Sequence, residues 1–158
     1  MEKNIYTPEE ESWRQGGSTG TRPDRITPSQ VNVLADGEIF VFGSNMHGAH
    51  MGGAARVALE KFGAIWGVGE GLQGRSYAIP TMEGLDKMAL AVARFISFAH
   101  QHKECKFFVT AIGCGIAGYR PEEVAPLFRE AASLGNVCLP LSFWKVIASP
   151  AGAGSVPG

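Results

Sequence analysis

Glu38-Ile39-Phe40-Val41-Phe42-Gly43-Ser44-Asn45-Met46-His47-Gly48-Ala49-His50-Met51-Gly52-Gly53 is the stretch on which the reading of this chain turns. It begins with an apolar run of the length of one strand, without the polar alternation of a half-solvated sheet, as expected of a strand covered on both faces. The run stops in a loop of small and polar residues. Beyond it, Ala54, Ala58, Leu59 and Phe62 fall on one side of a helix expected over 53–62. A buried strand that delivers glycines to a helix start is a place where backbone can approach a ligand closely. The unpaired N–H groups and the dipole of the helix favour an anion there.

The same grammar continues outward. Residues 63–75 carry five glycines and are expected to be a turn-rich connection. Ser76–Pro80 is a second strand closed by its proline. Asp86 is expected to cap a helix over 87–103, with Met88, Val92, Phe95, Ile96 and Ala99 on its inward face. Lys106–Ile112 is a third strand, and it too ends in small residues: Gly113, Cys114, Gly115, Ile116, Ala117, Gly118 and then Tyr119. Pro121-Glu122-Glu123 opens a helix that Pro126 bends or restarts, with Gly135 as its C-terminal cap. Asn136–Pro140 is a fourth strand, and Ser142–Ile147 fits an edge strand or a short helix. Upstream, Thr27-Pro28 has the form of an N-cap followed by proline, predicting a short helix to about Leu34. Strands alternating with helices of these lengths define a layered α/β domain.

Length and composition bound the rest. The chain has 158 residues, enough for one domain with one substantial core. That domain is expected over 27–148, after a flexible extension (1–26, with one short strand near Trp13) and before a disordered tail (149–158). The net charge is −1 and the 14 Lys and Arg are scattered, which gives no broad nucleic-acid-binding surface. Cys105, Cys114 and Cys138 show no ligand-like spacing, so neither a metal site nor a cofactor is expected. No signal-like leader and no apolar run of membrane length is present, which makes a cytoplasmic location the default expectation.

The two glycine-rich loops therefore carry the candidate chemistry. Gly43, Ser44, Asn45, Gly52, Gly53, Ala54 and Ala55 belong to the first; Gly113, Cys114, Gly115, Ile116, Ala117, Gly118 and Tyr119 belong to the second. Together they suit a diphosphate that bridges two ribose-like ends. Asn45 can donate to and accept from hydroxyls. Thr81, directly after the second strand, can hydrogen-bond a substrate. For acid–base work the candidates are His50 and Glu83, with His47, Glu70 and Asp86 behind them. Cys114 at a helix start could have a lowered pKa, against the simpler reading of a small space-filling residue. Phe42, Tyr119 and Trp144 are candidate platforms for a base.

The order VFGSN (41–45), MGGAARVALEKFG (51–63), SYAIPT (76–81) and IGCGIAGY (112–119) resembles the macrodomain superfamily of ADP-ribose-binding modules, and most closely a bacterial and phage group within it. The resemblance covers about residues 27–140. It implies a three-layer α/β/α fold around a mixed sheet. It also implies ADP-ribose or a related nucleotide as the ligand, with Asn45 near the distal ribose and Gly113–Gly118 around the diphosphate. Two alternatives accompany it: a hydrolase acting on ADP-ribosylated substrates or ADP-ribose derivatives, and a phage or mobile-element interaction protein with a degenerate site. The catalytic residues of the two hydrolase branches are not found. Ala54-Ala55 stands where one branch has an aspartate after its glycine pair. Met82 and Ala117 stand near the lysine and aspartate of the other.

Overall fold

The computed structural model describes residues 5–16 and 25–148. In chain order the elements are α1 (Pro8–Gly16), β1 (Ile26–Thr27), β2 (Glu38–Ser44), α2 (Gly53–Lys61), β3 (Gly71–Gln73), β4 (Ser76–Pro80), α3 (Leu85–Gln101), β5 (Lys106–Val109), α4 (Pro121–Val124) with a 3-10 continuation (Ala125–Ser133), β6 (Val137–Pro140) and α5 (Leu141–Ile147). The strands form one sheet in the order β1-β6-β5-β2-β4-β3. Every neighbouring pair is parallel except β3 with β4, so the sheet is mixed.

β2 explains the layering. Successive side chains of a strand point to opposite faces. Phe40 and Phe42 pack with Ala55, Ala58 and Phe62 of the α2 region. Ile39 and Val41 pack on the other face with Met88, Val92 and Phe95 of α3 and with Phe128, Phe143 and Trp144. The result is a three-layer α/β/α sandwich with a core on each face of the sheet.

Several expectations need correction. The Thr27-Pro28 helix does not form: Ile26 and Thr27 pair with Leu139 and Pro140 as β1, and the chain from Pro28 to Leu34 has no helix. The reverse happens upstream, where residues 8–16 of the expected flexible extension are helix α1, so Trp13 lies in a helix and not in the expected strand. Thr7 caps that helix through a reciprocal pair: its Oγ1 accepts from the Glu10 amide at 3.1 Å, and the Glu10 carboxylate accepts from the Thr7 amide at 3.0 Å. The expected flexibility of residues 1–4 and 17–24 and the disordered tail lie outside the described residues.

The remaining differences are local. Gly71–Gln73 pairs with β4 as a strand within the expected turn region. Gly84, not Asp86, is the N-cap of α3, with Asp86 in the first turn. β5 ends at Val109, three residues early. Pro126 marks the change from α to 3-10 winding, and the C-cap is Leu134, not Gly135. Residues 141–147 take the helical alternative.

A cleft at the carboxyl ends of the central strands

β2 lies between β4 and β5, with Gly43 opposite Ile79, Ser44 opposite Pro80, and Val41 opposite Val109. All three strands run parallel, so the loops that leave them open on one edge of the sheet. The helix after β2 packs on one face and the helix after β4 on the other, the switch-point geometry at which open α/β sheets bind ligands. A cleft of about 510 Å³ lies there. That volume is within the roughly 300–1,000 Å³ usual for small-molecule sites.

Both glycine-rich loops reach it. Gly43, Ser44, Asn45, Gly52 and Gly53 line one side, continued by Ala54 and Ala55. Thr81 lines the floor, and Gly113, Gly115, Ile116 and Ala117 form the opposite side. Met51 and Met82, 69% and 46% exposed, also line the cleft without having been expected to contact a ligand, and sequence reading missed Thr110 and Ala111. Ile116, 93% exposed, stands free at the lip. Cys114, Gly118 and Tyr119 lie outside the lining; Cys114 and Tyr119 are partly buried against the core.

The glycines are not alike. A Cβ on Gly48 would sit 2.3 Å from the Gly67 carbonyl carbon, and one on Gly69 would sit 2.2 Å from the Asn45 carbonyl oxygen. Those two hold one loop against another. Gly52 has an extended backbone (φ −157°), and neither it nor Gly115 has any atom within 4 Å of an added Cβ. Neither adopts positive φ. Nothing in the fold requires glycine at either position, and both border the cleft.

Backbone amides supply its polarity. α2 has no side-chain cap and no acidic residue in its first turn, so the amides of Gly53, Ala54 and Ala55 lack intrahelical acceptors. The second loop is closed by Cys114 N–H to Ala111 O (3.2 Å), Gly118 N–H to Gly115 O (3.0 Å) and Tyr119 N–H to Gly113 O (2.9 Å). The amides of Gly115, Ile116 and Ala117 take no part in these bonds. Among the described residues no charged side chain lines the cleft. An anion there is met by N–H dipoles and not by a cation or a carboxylate.

The side-chain candidates play structural parts. The Asn45 amide oxygen accepts from Ala49 N–H at 3.2 Å and its nitrogen donates to Ala49 O at 3.4 Å, which pins the first loop while Asn45 still faces the cleft. His50 is fully buried and outside the lining. Its Nε2 lies 2.9 Å from Ile65 O and must donate to it. Nδ1 lies 3.5 Å from Ser44 Oγ, whose hydroxyl is also within 3.3 Å of Asn45 O. The Glu83 carboxylate accepts from Met46 N–H at 3.0 Å, clamping the loop from outside the cleft. Thr81 donates its hydroxyl to Ser44 O at 3.2 Å.

Glu70 is held by Arg94 through two contacts of 2.6 and 2.9 Å, and His47 is exposed. Burial, helped by Glu122 and Glu123, pushes the Cys114 thiol up from its ordinary pKa, the opposite of an activated nucleophile. Phe42 and Trp144 are core residues with no exposed face for a base.

A second cavity, of about 460 Å³, adjoins the first at Thr110 and Ala111, which line both. It lies beyond the ends of β1 and β6 and is walled by Thr7, Glu9 and Glu10 of the α1 region, by Thr27 and Ser29, and by Ser142 and Lys145. Thr27 is 2% exposed, and its hydroxyl has no hydrogen-bond partner among the described residues. Sequence reading could not assemble this chamber, because it placed α1 in a flexible extension and Thr27 at a helix start.

Among the described residues no group of three or more His, Cys, Asp or Glu could hold a metal ion, and no helix is long and apolar enough to cross a membrane. The molecule is thus a three-layer α/β/α protein with an uncharged, amide-lined cleft at its sheet switch point. Compared with known proteins, the chain matches no family model, no curated protein and no solved structure.

Proposed function

We propose that this chain is a macrodomain-like module that binds ADP-ribose or a closely related nucleotide diphosphate. The observation that carries the reading is the pair Gly52 and Gly115: two glycines on facing sides of one cleft, each with free space where a side chain would stand. Glycine leaves room there for a group the protein itself does not provide. The amides beside them suit a diphosphate. The adjoining second chamber suits a ligand with an end on each side of that diphosphate.

Binding is favoured over hydrolysis. Ala54, Ala55, Met82 and Ala117 stand near the positions where the related hydrolase branches carry an aspartate or a lysine. All four line the cleft, and none can move a proton. His50 and Glu83 do not line it. No side chain plugs the cleft, so a degenerate site draws no support.

Calorimetric titration with ADP-ribose, NAD and AMP tests the reading. Saturable heat is expected with ADP-ribose, and no product should be released on prolonged incubation. Absence of both heat and thermal shift with all three at millimolar concentration would overturn the proposal.

A further inference from the structure

The two adjoining cavities differ in charge, and that difference gives the ligand a direction. We infer that the second chamber holds an uncharged end of the nucleotide and that Glu10 and Thr27 make it a filter against ligands with a further phosphate at that end. The inference rests on the nucleotide reading above. Glu10 is 6% exposed and lines the chamber, and its carboxylate accepts the Thr7 amide hydrogen. It has no ion-pair partner among the described residues. The one cation of the chamber wall, Lys145, is paired with Glu9. The chamber therefore keeps the negative charge of Glu10, whereas the glycine cleft has no charged side chain and a row of free amides. A phosphate gains in the cleft and is repelled in the chamber.

Thr27 is the second, independent sign. A buried hydroxyl without a partner destabilises a fold, and an apolar residue of the same shape would remove that penalty. Valine has that shape and suits a strand. Thr27 lines the chamber beside Glu10, and with Ser29 and Ser142 it offers hydroxyls to a ligand end bearing hydroxyl or amino groups.

The test uses the full chain and three ligands. These are ADP-ribose, a derivative with an extra phosphate on the adenosine ribose, and one with an extra phosphate on the terminal ribose. In the wild type one of the two derivatives should bind at least about tenfold more weakly than ADP-ribose. Glu10→Gln keeps the cap of α1, since glutamine serves at this position, and should close most of that gap. Thr27→Val should weaken ADP-ribose about tenfold while its Tm stays level or rises. The inference falls if both derivatives bind as ADP-ribose does, or if Glu10→Gln leaves the gap unchanged. It also falls if Thr27→Val lowers the Tm with affinity intact. A wild type that fails to bind ADP-ribose at all would instead overturn the nucleotide reading itself, and this one with it.

Discussion

Gly48 and Gly69 stand in one region of the molecule, Gly52 and Gly115 in another, and the same residue type does opposite things in the two. Where the 45–48 and 67–69 turns cross, a Cβ would land within 2.3 Å of main-chain atoms. Glycine there is the condition for two backbones to touch. At Gly52 and Gly115, glycine leaves open space and relieves no strain. The first pair belongs to stability and the second to a ligand. The order of substitutions below separates them.

The largest effect is expected where the loops cross. Gly69→Ala places its methyl on the Asn45 carbonyl oxygen and should cost roughly 3 kcal/mol or more. For a domain of this size that lowers the Tm by roughly 6–12 °C in a calorimetric scan. His50→Ala comes next, because it empties a buried site against Phe42 and removes the ring N–H from the Ile65 carbonyl, which keeps only the Val68 N–H. A loss of about 2–4 kcal/mol in urea unfolding is expected. A catalytic His50 would instead leave the unfolding midpoint in place.

At the cleft the sign changes. Gly115→Ala should move stability by no more than about 0.5 kcal/mol in either direction. A loss comparable to that of Gly69→Ala would erase the distinction between the two pairs. The smallest effect lies far from both and appears only at alkaline pH. Burial first, and then the Glu70 carboxylate, push the Tyr77 phenol up to about 12 from its ordinary value near 10. Between those values the unfolded chain has lost the proton and the folded one has kept it. Tyr77 therefore contributes stability that is fully present below about pH 10 and is lost as the pH rises toward 12. Tyr77→Phe should flatten that part of the stability–pH curve, and an unchanged slope would remove the phenol from the account.

Two Thr-Pro pairs show what was legible and what was not. Thr7-Pro8-Glu9-Glu10 and Thr27-Pro28-Ser29-Gln30 have the same opening, and both satisfy the N-cap and proline pattern. The first becomes a helix whose Glu10 closes the capping pair. The second is drawn into β1 by Leu139 and Pro140, a long-range pairing that no local pattern announces. β2, β4, α2, α3 and both glycine loops were legible because each declares itself through its own periodicity or its small residues. β3 was hidden because it is three residues long and begins at a glycine.

Within the site, the sequence showed which loops reach the cleft but not which glycines face it. It also left open that His50 and Glu83 stay out of the cleft wall, since side-chain direction in an irregular loop follows from packing. Ile65, the His50 acceptor, is fifteen residues distant. The second chamber was invisible for the same reason as β1.

Gly52→Asp puts the central claim to the most direct test. Gly52 is the N-cap of α2, with extended backbone and free space beside it. Aspartate is among the best residues at that position, and its carboxylate would take the same amides a diphosphate needs. Titrated with ADP-ribose beside the wild type, the variant is expected to melt at the same temperature or slightly higher and to give no binding heat. A Gly52→Asp protein that binds ADP-ribose as the wild type does would contradict the account.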